Sequence, residues 1–314
     1  MEINITYWIG FIVFVMIMLM LDLGVFHRKD TEVKIREALL WSAFWISLAL
    51  VFNALLYYQF GKTPAFNFFT AYVLEKSLSV DNLFVFIMIF GYFNIAPKYQ
   101  HKILFWGIFG ALIMRAIFIF AGITLIRNFS WIMYIFGAFL IYTGIHMIAN
   151  KKEESDFDPN KNFIIRWFRK MMPVTEDMSE PHFFVRRNKM LYATPFFVAL
   201  LFIEASDIVF AVDSIPAVLS VSKDTFIVFT SNIFAILGLR SLYFALSGIM
   251  EYFYYLKYAL AGILTFIGLK MCINEFSDMA GYDFHISNYT SLSIIVSLLI
   301  ISILLSLAVR KKPQ

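Results

Sequence analysis

The chain has 314 residues, 61% of them hydrophobic and only 15% charged, with a formal net charge of +4. Soluble domains carry about a quarter charged residues, so this balance excludes a soluble globular protein and points to an all-α polytopic membrane protein. No nucleic-acid surface is expected, because the basic residues cluster in loops beside apolar segments, and the single cysteine, Cys272, excludes an intramolecular disulfide framework.

A membrane-crossing helix needs about 20 mostly apolar residues. Nine segments qualify: 6–27, 38–60, 65–91, 103–126, 129–149, 191–220, 225–249, 255–275 and 287–309. The first lacks a basic leader and a small-residue cleavage site, so it reads as a retained span. With the second it makes an N-terminal two-helix segment, residues 1–60. Asp22 lies near the end of the first span, suited to a helix-end role or to an ion path. The loop 150–190 is the only sizeable extramembrane segment. It reads as a solvated linker, within which Ile164 to Met172 could form a short basic amphipathic helix. A C-terminal helix and basic tail, 287–314, close the chain. Most of the 26 Lys and Arg residues fall in loops 28–37, 92–102 and 150–190 and in the tail. This bias places the N-terminus outside and the C-terminus in the cytoplasm.

Two apolar spans carry acidic runs. The third contains Glu75, Lys76, Ser77, Ser79, Asp81 and Asn82. The sixth contains Glu204, Ser206, Asp207, Asp213, Ser214 and Pro216. A charge at the bilayer centre costs about 2.5–3.5 kcal/mol on insertion scales, and the default reason to keep one is a path for cations or protons.

The two runs align with each other. Placing Asp81 on Asp213 puts Glu75 on Asp207, so both read acid-x5-acid. The spans that follow match through Arg115 and Arg240, each with an aromatic three residues on, and the next through Gly144 and Gly268. The repeats therefore run 65–149 and 191–275. An odd number of spans per copy inverts the second copy, an arrangement found in many secondary transporters with the site at the repeat interface.

Six acids lie within spans (Asp22, Glu75, Asp81, Glu204, Asp207, Asp213) against three bases (Lys76, Arg115, Arg240). Complete pairing leaves three acids to be neutralised by protons or a bound cation. Oxygen-only donors suit Mg, Ca or Mn rather than thiophilic metals. Arg115 and Arg240 are expected to pair with carboxylates. Lys76 could do the same or act as a tethered cation competing with the ion. Asn82, Asn232, Ser206 and Ser214 can serve as ligands or as interhelical hydrogen-bonding groups. On a regular helix, residues six apart diverge by about 240°. Convergence of the acids therefore calls for an unwound turn, for which Ser77, Ser79, Ser214 and Pro216 are suited.

The runs Phe183–Arg186, Ala193–Pro195, Ile203–Asp207, Phe210–Pro216 and Phe226–Tyr243, with Glu75–Asn82, resemble the TerC family, in particular its nine-span bacterial branch. The resemblance covers nearly the whole chain. It implies a transporter of the bacterial inner membrane with three-span inverted repeats, a role in manganese export and metal ion homeostasis, and a link to tellurium resistance. By motif position it assigns Glu75, Asp81, Glu204, Asp207 and Asp213 as acidic transport residues.

The expected function is therefore proton-coupled export of a divalent cation, Mn2+ foremost, with no enzymatic activity and no tightly bound cofactor. The partners expected are the metal ion and the bilayer, with a homo-oligomer left open. Transport of a tellurium oxyanion fits poorly, since the site is net acidic. A scaffold for membrane-protein insertion or assembly is the alternative from another class; there the acids are structural. An enzyme lacks a nucleophile–base pair, and a retinal pump lacks a suitably placed lysine in a seven-helix bundle.

Overall fold

The computed structural model describes residues 4–24, 35–93, 95–129, 131–149, 173–175, 182–187, 190–247, 255–280, 282 and 284–308. Ten helices and one two-stranded ribbon make up the described part. In chain order they are α1 Ile5–Gly24, α2 Ile35–Phe60, α3 Lys62–Tyr92, α4 Pro97–Asn128 and α5 Ile132–Ala149, then strands β1 Phe184–Arg187 and β2 Met190–Ala193. There follow α6 Pro195–Leu219, α7 Thr225–Leu237, α8 Leu239–Leu246, α9 Leu256–Ala280 and α10 Asn288–Ala308.

Counting α7 and α8 as one, seven of the described stretches are long and apolar enough to cross a membrane. The remaining long helices are α1, whose apolar part is shorter, and α3, whose middle carries Glu75, Lys76 and Asp81. The chain is thus an all-α polytopic membrane protein. Its outer helices expose side chains that water would not tolerate, such as Leu304 at 60% and Leu40 at 63%, as expected of a surface solvated by lipid.

Local chemistry sets the helix ends. Gly61 takes φ 87°, the left-handed region that glycine occupies without penalty, and so joins α2 directly to α3. Pro97 and Pro195 stand at the first positions of α4 and α6, where a missing N–H is harmless and the ring pre-sets φ. Asp224 caps α7 by accepting from the amides of Phe226 (3.0 Å) and Ile227 (3.2 Å).

The interior is built by α3, α4, α6 and α7, which pack on one another. The closest helix pair is α5 with α9. A Cβ added at Gly268 would stand 2.5 Å from the Gly137 carbonyl oxygen and 3.0 Å from the Ile141 amide. One added at Gly144 would stand 2.6 Å from the Ala261 carbonyl oxygen. Small residues thus bring the two backbones into contact, the standard means of helix association where lipid removes the hydrophobic drive.

Several expectations are corrected. The third and sixth spans are not broken: α3 runs 31 residues and α6 runs 25 without interruption. Pro216 lies inside α6 and removes the amide that the Val212 carbonyl would accept, yet the helix continues to Leu219. The break falls instead in the seventh span, at Gly238 between α7 and α8. Residues 191–193, read as helix, belong to β2, because the helix starts only at Pro195. The loop 150–190 is more than a linker: β1 pairs antiparallel with β2, Phe184 opposite Ala193, and Val174 bridges to the same Ala193. The helix expected over Ile164 to Met172, the loop 28–34 and the tail 309–314 lie outside the described residues.

Candidate functional site

On α3, Glu75, Ser79 and Asn82 are spaced i, i+4, i+7 and share one face. Asp207 and Ser214 are seven apart on α6 and also share a face. These two polar stripes meet where α3 packs on α6. Asn82 donates its side-chain amide to Asp207 Oδ1 at 3.3 Å, and Ser214 is buried on the stripe that Asp207 begins.

Arg115 of α4 enters between the stripes. Its guanidinium is salt-bridged to Glu75 and, at 3.3 Å, to Asp207. It also donates to Asn232 Oδ1 of α7 at 3.2 Å, while Asn232 returns its amide to Glu75 Oε1 at 2.7 Å. Arg115, Glu75, Asp207 and Asn232 are all at most 3% exposed. One guanidinium against two carboxylates leaves this dry cluster one negative charge in excess. Four buried oxygens in the same seam have no hydrogen-bond partner among the described residues: Asp207 Oδ2, Asn82 Oδ1, Ser79 Oγ and Ser214 Oγ. Buried polar atoms are nearly always satisfied, so unsatisfied ones call for an explanation.

The other acids lie apart from this network. Glu204, three residues before Asp207, is half-buried, and its carboxylate occupies the space that a side chain at Gly110 of α4 would need. Asp213 is half-buried too and accepts from Thr143 Oγ1 of α5 at 3.3 Å. An uninterrupted α6 turns Asp213 about 240° away from Asp207, so the two acids address different helices. The structure therefore joins Glu75 and Asp207 and does not gather all the predicted acids at one point. Among the described residues no group of three or more His, Cys, Asp or Glu side chains is placed to hold a metal ion. Asp81 is on α3 and Asp22 on α1, but their side chains lie outside the described residues.

Lys76 does not share Glu75's partners. It reaches the same helix as Asn232 does, one turn further on, and donates to the Ala235 carbonyl at 3.1 Å, in the last turn of α7. A helix C-terminus leaves carbonyls without intrahelical partners and favours a cation. A Cβ at Gly238 would stand 2.9 Å from Lys76 Nζ and 3.0 Å from Trp45 Cβ, so glycine at the break makes room for the lysine. Arg240 is buried just beyond, on α8.

Ser79 as part of the seam, Thr143 beneath Asp213 and the glycines at 110 and 238 were not assigned these places from sequence. Ser79 was legible through its i+4 spacing from Glu75, once α3 was taken as continuous. The glycine roles depend on which helix lies opposite, and the chain itself does not state that.

Comparison with known proteins agrees with this architecture. Residues 60–314 match the model of the family described as "Integral membrane protein TerC family". The "Uncharacterized membrane protein STKORF319" of Myxococcus xanthus is 51% identical over 300 residues, covering 96% of this chain and 91% of that protein. The "Putative membrane-bound redox modulator Alx" of Salmonella typhi is 44% identical, covering 95% of this chain and 93% of that protein. Its namesake in Escherichia coli (strain K12) is 43% identical with the same coverage. No solved structure matches.

Proposed function

The chain belongs to the TerC family of integral membrane proteins, and from that premise we propose that it is a secondary transporter exporting a divalent cation, Mn2+, in exchange for protons. The observation that carries this reading is the α3–α6 seam, where four unpartnered buried oxygens stand beside an anionic cluster. Carboxylate, amide and hydroxyl oxygens are the donors that Mg, Ca and Mn accept. The excess negative charge would be cancelled by a cation or a proton, and an exchanger alternates between the two. Glu75, Asp207, Asn82, Ser79 and Ser214 would bind the ion. Glu204, one turn from Asp207 on the face of α6 that meets α4, and Asp213, on another face, would serve its passage to and from the seam, with Asp81.

Two three-span units, 65–149 and 191–275, related by inversion, are part of this proposal. If Gly144 corresponds to Gly268, then Ala261 corresponds to Gly137, seven residues earlier in each copy. Gly137 against Gly268 and Gly144 against Ala261 are then the same contact made twice. This duplication supports an inverted repeat. The distribution of Lys and Arg supports residence in the bacterial inner membrane, N-terminus outside and C-terminus in the cytoplasm.

A structural reading has one observation in its favour: Glu75 and Asp207 are held by Arg115, as they would be in a scaffold that assists other membrane proteins. The test separates the two readings. Asn82→Ala, Ser79→Ala and Ser214→Ala each remove an oxygen donor and leave Arg115, Glu75 and Asp207 in place, although Asn82→Ala also takes away an amide that Asp207 accepts. In cells challenged with manganese, wild type should lower intracellular manganese. Each variant should need at least about tenfold more metal to do so, since even the loss of a group that only supports a ligand costs that much, at unchanged amounts in the membrane. If all three lower manganese as well as wild type does, the seam is not the site and the scaffold reading stands.

A further inference from the structure

A cavity of about 360 Å³ lies between α1, α2 and α7, bordered by none of the acids discussed above. That volume is within the range of small-molecule sites. Phe14, Leu48, Phe52 and Phe234 line it beyond residue 10, and Phe226 lies nearer its start, with its ring on Trp8. Its few polar lining residues, Thr6, Tyr7 and Gln59, come from the start of α1 and the end of α2. Those two ends are level with each other, since the rings of Tyr7 and Phe60 meet edge-on with centroids 5.5 Å apart. The cavity therefore has a polar mouth and an apolar floor. From the level of residue 7 to that of residue 14 it extends about 10 Å along α1.

Gly10 sits between mouth and floor. A Cβ there would meet nothing within 4 Å and the residue is exposed, so Gly10 borders the side on which the cavity opens; it does not bring two helices together as Gly137 and Gly268 do. Around the space, α1 touches the rest of the molecule through rings: Trp8 on Phe226, Phe11 on Phe52 and Phe11 on Phe234. An apolar cavity of this kind is not filled by water, and in a bilayer the abundant molecule with one polar end and a hydrocarbon remainder is a phospholipid.

We propose that this cavity binds one acyl chain of a phospholipid from the leaflet on the N-terminal side, with its headgroup at Thr6, Tyr7 and Gln59. The chain lies against Phe226 and Phe234 of α7. Two residues from Phe234, Asn232 holds Glu75, so the lipid bears on the helix that fixes this buried acid.

The test uses the full chain in liposomes of phosphatidylethanolamine and phosphatidylglycerol, doped with a phospholipid carrying a photoactivatable diazirine in its acyl chain. After transfer to detergent and washing, irradiation is followed by peptide mass spectrometry. Adducts on Leu48 and Phe52 should persist and exceed those on Leu304, an outward side chain of α10, by about tenfold. Gly10→Leu fills the cavity and displaces at least two methylenes of the chain, at about 0.8 kcal/mol each. Adducts on Leu48 and Phe52 should then fall about tenfold. Gly91→Leu, at another open position, should leave them unchanged. The proposal is overturned if wild type labels Leu48 and Phe52 no more than Leu304, if Gly10→Leu leaves their labelling intact, or if Gly91→Leu reduces it equally.

Discussion

Glu75 and Asp207 differ from Glu204 and Asp213 in what surrounds them, although all four are carboxylates on the two acidic helices. The first pair is dry, shared by one guanidinium and fixed by Asn232 and Asn82. The second pair is half-buried: Asp213 has a single hydroxyl donor, and Glu204 has a glycine opposite it. A buried charge that loses its partner is left uncompensated, which costs several kcal/mol, whereas a half-exposed one can turn to water. The inner acids are thus bound to the fold, and the outer acids are free to exchange a proton or an ion without unfolding it.

The comparison can be broken most directly at Arg115. Arg115→Met strands two carboxylates in a dry seam and should cost about 3–5 kcal/mol. The protein should vanish from the membrane fraction or lose a large part of its thermal midpoint in detergent. Arg115→Lys should not restore it, because a point-charge ammonium cannot make the fork of contacts to Glu75, Asp207 and Asn232. A stable Arg115→Met protein would mean that the inner acids are neutralised by protonation, and the contrast would disappear.

Gly110→Leu comes next. It drives the Glu204 carboxylate from its place against α4, and overpacking of this kind costs about 1–3 kcal/mol. Gly110→Ala should cost less, since the atom in its way is the far end of a flexible side chain. Measuring both midpoints checks the order, and equal losses would argue that Glu204 is as rigid as Glu75.

Thr143→Val removes the donor to Asp213 while keeping the shape. About 1 kcal/mol is the net worth of such a bond, and this one is long at 3.3 Å, so the loss should be smaller still. Smallest of all should be Asp213→Asn and Glu204→Gln, each within about 0.5 kcal/mol of wild type, as for positions outside a buried network. Under the proposed transport function, their manganese export should nonetheless fall. Full export by both would confine transport to the inner seam, and unfolding of either would place it among the structural acids.

The i, i+4, i+7 stripe of α3 was open to a sequence reader, yet Ser77, Ser79 and Pro216 suggested unwinding instead. Serines tolerate a helix when their hydroxyls return to a carbonyl of the preceding turn, as Ser77 does to Val73 at 2.6 Å. The actual break, at Gly238, carries the weakest of local signals, a lone glycine in an apolar run. What decides it is the arrival of Lys76 and Trp45 from elsewhere in the chain.

Sequence by itself determined the membrane class, the apolar spans, the excess of acid over base within them and the acid-x5-acid spacing that the two runs share, because these follow from composition and spacing along the chain. Tertiary structure alone decided that Arg115 holds both of those acids, that Lys76 caps α7 rather than joining them, and that Asp213 turns to Thr143. Each of these contacts spans between 40 and 159 residues of sequence. Which face of a helix meets which neighbour is set by the continuity of α3 and α6 and by how closely small residues let the helices approach, and neither is written in any one segment.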